Sequence, residues 1–268
     1  MKPNRKPKHT CVVEVFKVSP TMQRIVLQGE DLKTLQKSDL GNYIKLMFHP
    51  QGHTNIDLLS DNERPLMRTY TISELDIELG KISVDFVIHE SSHAVNPEQG
   101  GYAVNWAMAA QAGDEIYIGG PGKSQDIDFH AEQVVLVADM TAIPAMKAKL
   151  DTLNDSAQGY VVVQIATEAD KPELALPQGV QLITVVGTES EQLADAVTAL
   201  KVINVGEKND IAIWCACEFS AMKSIRNYFT EHDCVQREKS YFSSYWKQGI
   251  TEDGHKVIKR EDAESLTQ

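Results

Sequence analysis

Hydrophobic and polar residues alternate with period two through about the first 120 residues, which predicts β-strands whose side chains point to two opposite faces. Turn-like residues separate the strand-like segments, which are residues 10–19, 22–29, 42–48, 67–73, 81–89 and 114–122. The stretch 101–111 has helix-like spacing instead. Several short strands at this spacing are typical of a small antiparallel β-barrel, and we predict one here.

The pattern changes after Pro121. Continuous apolar runs, as expected for parallel strands buried on both faces, occupy residues 133–139, 160–167, 179–186 and 210–217. Amphipathic segments between them predict helices over 142–153, 189–202 and 219–232. This alternation predicts a doubly wound α/β domain with a parallel sheet. We therefore divide the chain into a β-barrel domain at 1–125, an α/β domain at 126–250 and a charged tail at 251–268, which is either a surface helix or frayed.

Composition narrows the class of protein. The 268 residues carry a formal net charge of −12, which disfavours nucleic acid as a partner because its phosphates would be repelled. No apolar run approaches the roughly 20 residues that span a bilayer. The basic N-terminus leads into a strand-like segment rather than the apolar core of a signal peptide. We expect a cytoplasmic monomer that does not associate with membranes.

The four cysteines do not form a pattern typical of disulfides or zinc sites. Cys215 and Cys217 are too close in sequence for the usual paired zinc ligands, and no His/Cys cluster accompanies them. We expect reduced, mostly buried thiols and no metal site.

The segment MRTYTIS, residues 67–73, carries the first functional signal. On a strand, Arg68 and Tyr70 share one face, and Thr69 and Thr71 share the other. A cation, a flat aromatic ring and a short hydroxyl suit a ligand that is planar at one end and anionic at the other, such as a flavin nucleotide. In the competing interpretation, Arg68 makes a surface ion pair and Tyr70 is a core residue.

Six further motifs share their order and spacing with one family. They are VDFVIH followed by GGYAVNWA, then GGPGKS, ADMTAIPAM, WCACEFSAMKSIRNYF and SYWKQG. With MRTYTIS, they make the chain resemble the siderophore-interacting proteins, which are flavin-dependent ferric-siderophore reductases of the ferredoxin-reductase superfamily. The resemblance implies an FAD-binding barrel, a ferredoxin-reductase-like α/β domain that faces a nicotinamide donor, and an enzyme that reduces a ferric siderophore so that Fe(II) is released.

The resemblance also implies roles for individual residues around FAD. Arg68 would hold the pyrophosphate, Tyr70 would pack along the isoalloxazine, and Thr71 would lie by its reactive nitrogen. The other implied FAD contacts are Thr69, His89, the N–H groups of Ala103, Val104 and Asn105, Trp106 as an adenine shelf, and Thr141. Trp106 could equally be a core aromatic, and Thr141 is also placed to cap the next helix. Ser73 departs from the family, which often has a second arginine there, and the insert 90–99 lengthens the approach to Gly100 and Gly101.

On the nicotinamide side, the resemblance points to Asp139, Cys217 and Glu218. Glu168 and Asp170 follow the second predicted parallel strand, and carboxylates there favour NADH over NADPH. A reduced ferredoxin-type protein is an alternative electron source.

Lysines provide the candidate substrate contacts. Lys45, Lys123 and Lys247 lie in segments that the family folds around the flavin edge, and an anionic ferric siderophore needs such a local basic patch on an acidic protein. For any one of them, a solvated surface charge is the competing interpretation.

Two other functions remain in competition with the siderophore reductase. One is a general ferredoxin- or flavodoxin-type NAD(P)H reductase, which would prefer a protein partner. The other is a siderophore-binding module without turnover, which would have no need of the MRTYTIS motif.

Overall fold

The computed structural model describes residues 6–88, 101–203 and 209–266. The chain divides into two compact units, Met1–Ser124 and Gln125–Gln268. No helix in the described ranges is both long enough and apolar enough to cross a membrane.

The N-terminal unit is a closed six-stranded antiparallel barrel. Its strands are β1 (Lys8–Ser19), β2 (Met22–Gln28), β3 (Tyr43–Phe48), β4 (Leu66–Asp76), β5 (Lys81–Val87) and β6 (Glu115–Gly122). The order around the barrel is β1-β2-β5-β4-β3-β6, and every pairing is antiparallel. Short 3₁₀ turns lie at Glu30–Thr34, Lys37–Asp39 and Ile56–Leu58. Alternate residues of each strand point inward and form one apolar core.

Helix α1 (Tyr102–Ala109) packs against this core. The ring of Trp106 lies edge-on to Phe48 and Phe86, with centroid distances of 6.2 and 5.9 Å. The buried side chain of Gln23 on β2 donates a hydrogen bond to the carbonyl of Ala107 near the end of the helix. These contacts fix α1 against the inner face of the barrel.

The C-terminal unit is a five-stranded parallel sheet in the order β11-β10-β7-β8-β9. Its strands are β7 (Gln133–Ala138), β8 (Gln158–Ile165), β9 (Gly179–Val186), β10 (Ile211–Glu218) and β11 (Ser240–Trp246). Its helices are α2 (Ile143–Leu150), α3 (Ser190–Thr198), α4 (Phe219–Glu231) and α5 (Glu252–Ser265), with a 3₁₀ turn at Glu168–Asp170. The predicted fold class, an antiparallel barrel followed by a parallel α/β sheet, is confirmed. Strand β11 was not predicted.

The charged tail forms α5, which docks on α4 and β11. Arg226 on α4 makes a two-pronged ion pair with the largely buried carboxylate of Asp262, at 2.7 and 2.8 Å. The buried imidazole of His255 lies 2.8 Å from the hydroxyl of Ser244 on β11. Burial lowers the pKa of His255, and the nearby ammonium of Lys259 lowers it further.

The docking of α5 should therefore weaken in acid. Because the pKa of His255 in the folded state lies below its ordinary value of 6.5, this group contributes stability above that value, and the contribution is lost as the pH falls through the lowered pKa. The free energy of unfolding, measured by urea titration, should fall as the pH is lowered below about 6.5, and His255 should contribute the uptake of up to one proton to the slope. His255→Gln should have a shallower slope than the parent. Equal slopes in the two proteins would contradict this assignment.

Candidate functional site

The register between β3 and β4 places the residues of the MRTYTIS motif. Arg68 lies opposite Leu46 and Tyr70 opposite Ile44, so the cation and the aromatic ring lie on the strand face that carries the barrel core. Thr69 lies opposite Lys45 on the other face. The Arg68 residue is only 6% exposed, so its guanidinium is a nearly buried charge.

Arg68 lies beside the first residue of α1. The carbon at the centre of its guanidinium is 5.7 Å from the ring centre of Tyr102, and its Nη1 donates to the carbonyl of Met67 at 2.9 Å. Within the described residues, no side chain caps the start of α1, whose N-cap is Gly101. A cation thus contacts the first residue of a helix, and a cation together with a helix N-terminus is the chemistry of an anion site.

One predicted amide contact is corrected by this geometry. The N–H of Asn105 donates to the carbonyl of Gly101 at 2.9 Å, which is the first hydrogen bond of the helix. Only the earlier N–H groups, those of residues such as Ala103 and Val104, precede the helical ladder and remain candidates for an anion.

Aromatic rings extend from Arg68 along the same face of the barrel. Tyr70 is partly buried and lies against Phe86, with ring centroids 4.4 Å apart. Trp106 belongs to the same group of rings through its contact with Phe86. The packing of Trp106 agrees with the core-aromatic interpretation of this residue, although its side chain remains partly exposed.

Asp139 is the main polar junction at the carboxyl end of the parallel sheet. Its buried carboxylate accepts hydrogen bonds from the N–H and hydroxyl of Thr141, at 2.9 and 2.5 Å, and from the indole N–H of Trp246 at 2.7 Å. Burial raises the pKa of Asp139, and these hydrogen bonds oppose that shift. The prediction that Thr141 caps the helix is wrong, because its hydroxyl is bound to Asp139 and α2 begins after Ala142 without a side-chain cap.

Glu218 makes a second buried junction at the end of β10. Its carboxylate accepts from the N–H groups of Ser220 and Ala221 at the start of α4, and lies 3.2 Å from the ammonium of Lys247. The neighbouring thiol of Cys217 is fully buried and 3.9 Å from the sulfur of Cys215. The hydrogen bond with Cys215 and burial raise the pKa of Cys217, so this thiol stays neutral and inert.

Two family models match consecutive parts of the chain. The siderophore-interacting FAD-binding domain matches residues 11–125, and the siderophore-interacting protein model matches residues 131–249. The chain belongs to the siderophore-interacting protein family. Its barrel is therefore the family's FAD-binding domain.

Named relatives and a solved structure agree with this membership. The chain is 25% identical to the ferric vibriobactin reductase ViuB of Vibrio cholerae over 89% of this chain and 88% of that protein. It is 29% identical to the NADPH-dependent ferric-chelate reductase of Escherichia coli over 88% and 91% of the two chains. The siderophore-interacting protein SipS of Aeromonas hydrophila superposes with a TM-score of 0.78 at 28% identity, covering 96% of this chain and all of that one.

The three candidate lysines have different surroundings in this family member. Lys45 on β3 donates to the hydroxyl of Thr69 and lies 5.5 Å from the ring centre of Tyr43. Lys123 is exposed directly after β6. Lys247, in the C-terminal unit, is held by Glu218, which offsets its charge.

Of the remaining predicted residues, some lie within the described ranges and others lie outside them. Asp170 is buried and accepts from the N–H and hydroxyl of Thr167, whereas Glu168 is exposed at the carboxyl end of β8. His89 and Gly100 lie outside the described residues. In the ranges that are described, no three His, Cys, Asp or Glu side chains are grouped to hold a metal ion.

Sequence reasoning missed the importance of Tyr102 and Trp246. Trp246 was inside a quoted motif, SYWKQG, but its partner Asp139 is 107 residues away in the sequence. Tyr102 directly follows a glycine pair at the start of a helix, and that position was the available signal.

Proposed function

We propose that this protein is an FAD-dependent oxidoreductase that reduces ferric siderophores in the cytoplasm as a monomer. The observation that carries the proposal is the nearly buried guanidinium of Arg68 beside Tyr102, the first residue of α1, within a barrel that matches the family's FAD-binding domain. The named ferric reductases among its relatives support the same reaction class.

The residues present fit FAD. The guanidinium of Arg68 can form a two-pronged contact with the pyrophosphate, and the N–H groups of Ala103 and Val104 can donate to the same oxygens. Tyr70 offers a flat face for the isoalloxazine ring, and the partly exposed Trp106 on α1 is proposed as the shelf for the adenine. Thr71, with Thr69 preceding it, is proposed to lie by the reactive nitrogen, and Thr141 keeps its proposed place facing the flavin.

Bound FAD would supply the conversion of a hydride, which carries two electrons, into single-electron reduction of Fe(III). The protein's own part is to orient the ring system, to neutralise the pyrophosphate and to attract the ferric complex. The hard oxygen ligands of a siderophore hold the product, Fe(II), less tightly than Fe(III), so the iron can leave after reduction.

The substrate contacts are proposed to come first from Lys45 and Lys123. Both belong to the barrel unit, where Lys45 contacts Thr69 and Tyr43 and Lys123 is exposed directly after β6. Lys247 is proposed as a weaker contributor because Glu218 offsets its charge at 3.2 Å.

NADH is the proposed donor, with a reduced ferredoxin-type protein as the alternative source of electrons. Asp139, Cys217 and Glu218 mark the carboxyl ends of the central strands, where open α/β sheets bind their ligands. The carboxylates of Asp139 and Glu218 already accept hydrogen bonds. We therefore propose that they hold this edge of the sheet in shape and do not contact the nucleotide directly. The exposed carboxylate of Glu168 would repel a 2′-phosphate.

An anaerobic two-stage experiment tests the function and the donor. The FAD-loaded protein is mixed first with NADH or NADPH and then with a ferric siderophore, while the flavin absorbance is followed and a chelator traps Fe(II). We expect faster reduction by NADH, followed by reoxidation with a matching yield of Fe(II). A reduced protein that ferric siderophores do not reoxidise would overturn the function, and faster reduction by NADPH would overturn the donor assignment alone.

Removal of the Arg68 guanidinium should weaken FAD binding. Arg68→Ala should cost about 1.5–3 kcal/mol of binding free energy, the range for a hydrogen bond to a charged group, and the fold should persist. Titration of apoprotein with FAD gives the affinity, and Arg64→Ala is the matched control because Arg64 is exposed just before the same strand. Equal affinity in the parent and Arg68→Ala proteins would show that this arginine does not hold the cofactor.

Neutralising the barrel lysines should slow the reduction of anionic complexes selectively. Lys45→Gln and Lys123→Gln should each lower the rate of flavin reoxidation by a ferric catecholate more than by an uncharged ferric hydroxamate. Each change should be modest, because exposed charge pairs are worth roughly 0–1 kcal/mol, and added salt should reduce the difference. Lys171→Gln, an exposed lysine of the other unit, should leave both rates unchanged. Equal losses for charged and uncharged complexes would exclude a basic substrate patch.

A further inference from the structure

Tyr102 contacts both the guanidinium of Arg68 and a tight turn after β3. One side of the ring faces Arg68, whose central carbon is 5.7 Å from the ring centre. Gly52 packs on the ring so closely that an added Cβ would lie 3.1 Å from it. The hydroxyl of Tyr102 lies 3.4 Å from the carbonyl oxygen of Pro50, which is long for a hydrogen bond. The ring, more than the hydroxyl, makes the contacts.

The turn behind Tyr102 is held by its own hydrogen bonds. The N–H of His49 donates to the carbonyl of His53, and the N–H of Gly52 donates to the carbonyl of His49, both at 2.8 Å. The imidazole rings of these two histidines stack, with centroids 4.2 Å apart and planes 20° apart. Gly52 has a φ of +95°, a conformation that strongly favours glycine, so the close approach to Tyr102 depends on this residue type.

We propose that Tyr102 is a positioning residue that holds the Arg68 guanidinium in place for a phosphate group. The inference rests on the proposed function, since the phosphate is the FAD pyrophosphate. The turn supports the ring, the ring supports the face of the guanidinium, and the N–H edges of the guanidinium remain directed at the anion.

The physical basis is the combination of a cation–π contact with reduced side-chain freedom. A guanidinium stacks favourably on an aromatic face while its N–H donors lie in its own plane, where a phosphate can accept them. An arginine that is already ordered loses less conformational entropy when the ligand binds. Tyr102 would therefore strengthen phosphate binding without touching the phosphate.

A double-mutant cycle on FAD affinity tests this role. The four apoproteins are the parent, Tyr102→Leu, Arg68→Ala and the double variant, and each is titrated with FAD. In the parent background, Tyr102→Leu should weaken FAD binding by about 3- to 30-fold, the range for a cation–π contact. In the Arg68→Ala background, the same change should have an effect within about twofold, because the group that Tyr102 positions is gone.

Conservative replacement separates positioning from general packing. Tyr102→Phe keeps the ring and should retain the parent affinity within about twofold, since the hydroxyl contact is long. Tyr102→Met provides a second non-aromatic variant in case Tyr102→Leu does not fold, and thermal unfolding without FAD reports the fold of each protein. Equal losses from Tyr102→Leu in both backgrounds, or a loss in Tyr102→Phe as large as in Tyr102→Leu, would overturn the inference. A parent protein that binds no FAD would instead overturn the proposed function, and this inference with it.

Discussion

A guanidinium on the core face of an apolar barrel has to be balanced, because removing a charge from water costs several kcal/mol unless partners replace the water. Arg68 is in this situation, since it lies opposite Leu46 and is 6% exposed. The register of β4 determines this, because a slip of one residue would turn Met67 and Thr69 inward and Arg68 outward. The ring of Tyr102, the first residue of α1, and the carbonyl of Met67 are among the groups that contact this charge. The proposed FAD pyrophosphate would meet a cation whose position the barrel already determines.

The parallel sheet depends on two buried carboxylates in a comparable way. Asp139, at the end of β7, holds Trp246, and Glu218, at the end of β10, holds Lys247. Both partners lie at the carboxyl end of β11. Both carboxylates therefore join strand ends of the sheet. Because their oxygens already accept hydrogen bonds, these carboxylates would repel the proposed nicotinamide donor less strongly than free charges would.

The sequence allowed the strands of the barrel, four of the five parallel strands and the helices between them to be predicted, because their hydrophobic periods are clear. Strand β11 was missed because it is an edge strand in which serines interrupt the apolar pattern. The capping role given to Thr141 failed because Asp139, two residues away, accepts its hydroxyl. Contacts such as Asp139 with Trp246, or Arg68 with Tyr102, join distant segments and leave no local pattern to read.

Charge is distributed unevenly between the two units, so the net charge of −12 does not describe each unit equally. Residues 1–124 contain 13 Lys and Arg against 15 Asp and Glu, whereas residues 125–268 contain 13 against 23. Almost all of the net negative charge thus belongs to the α/β unit, where Lys247 is already paired with Glu218. The barrel unit is close to neutral, and Arg68, Lys45 and Lys123 lie on it. Because screening limits the reach of exposed charges to about 8 Å at physiological salt, the net charge of the whole chain does not by itself determine the field around Lys45 and Lys123. The overall acidity is therefore compatible with the proposed binding of an anionic cofactor and an anionic substrate by the barrel unit.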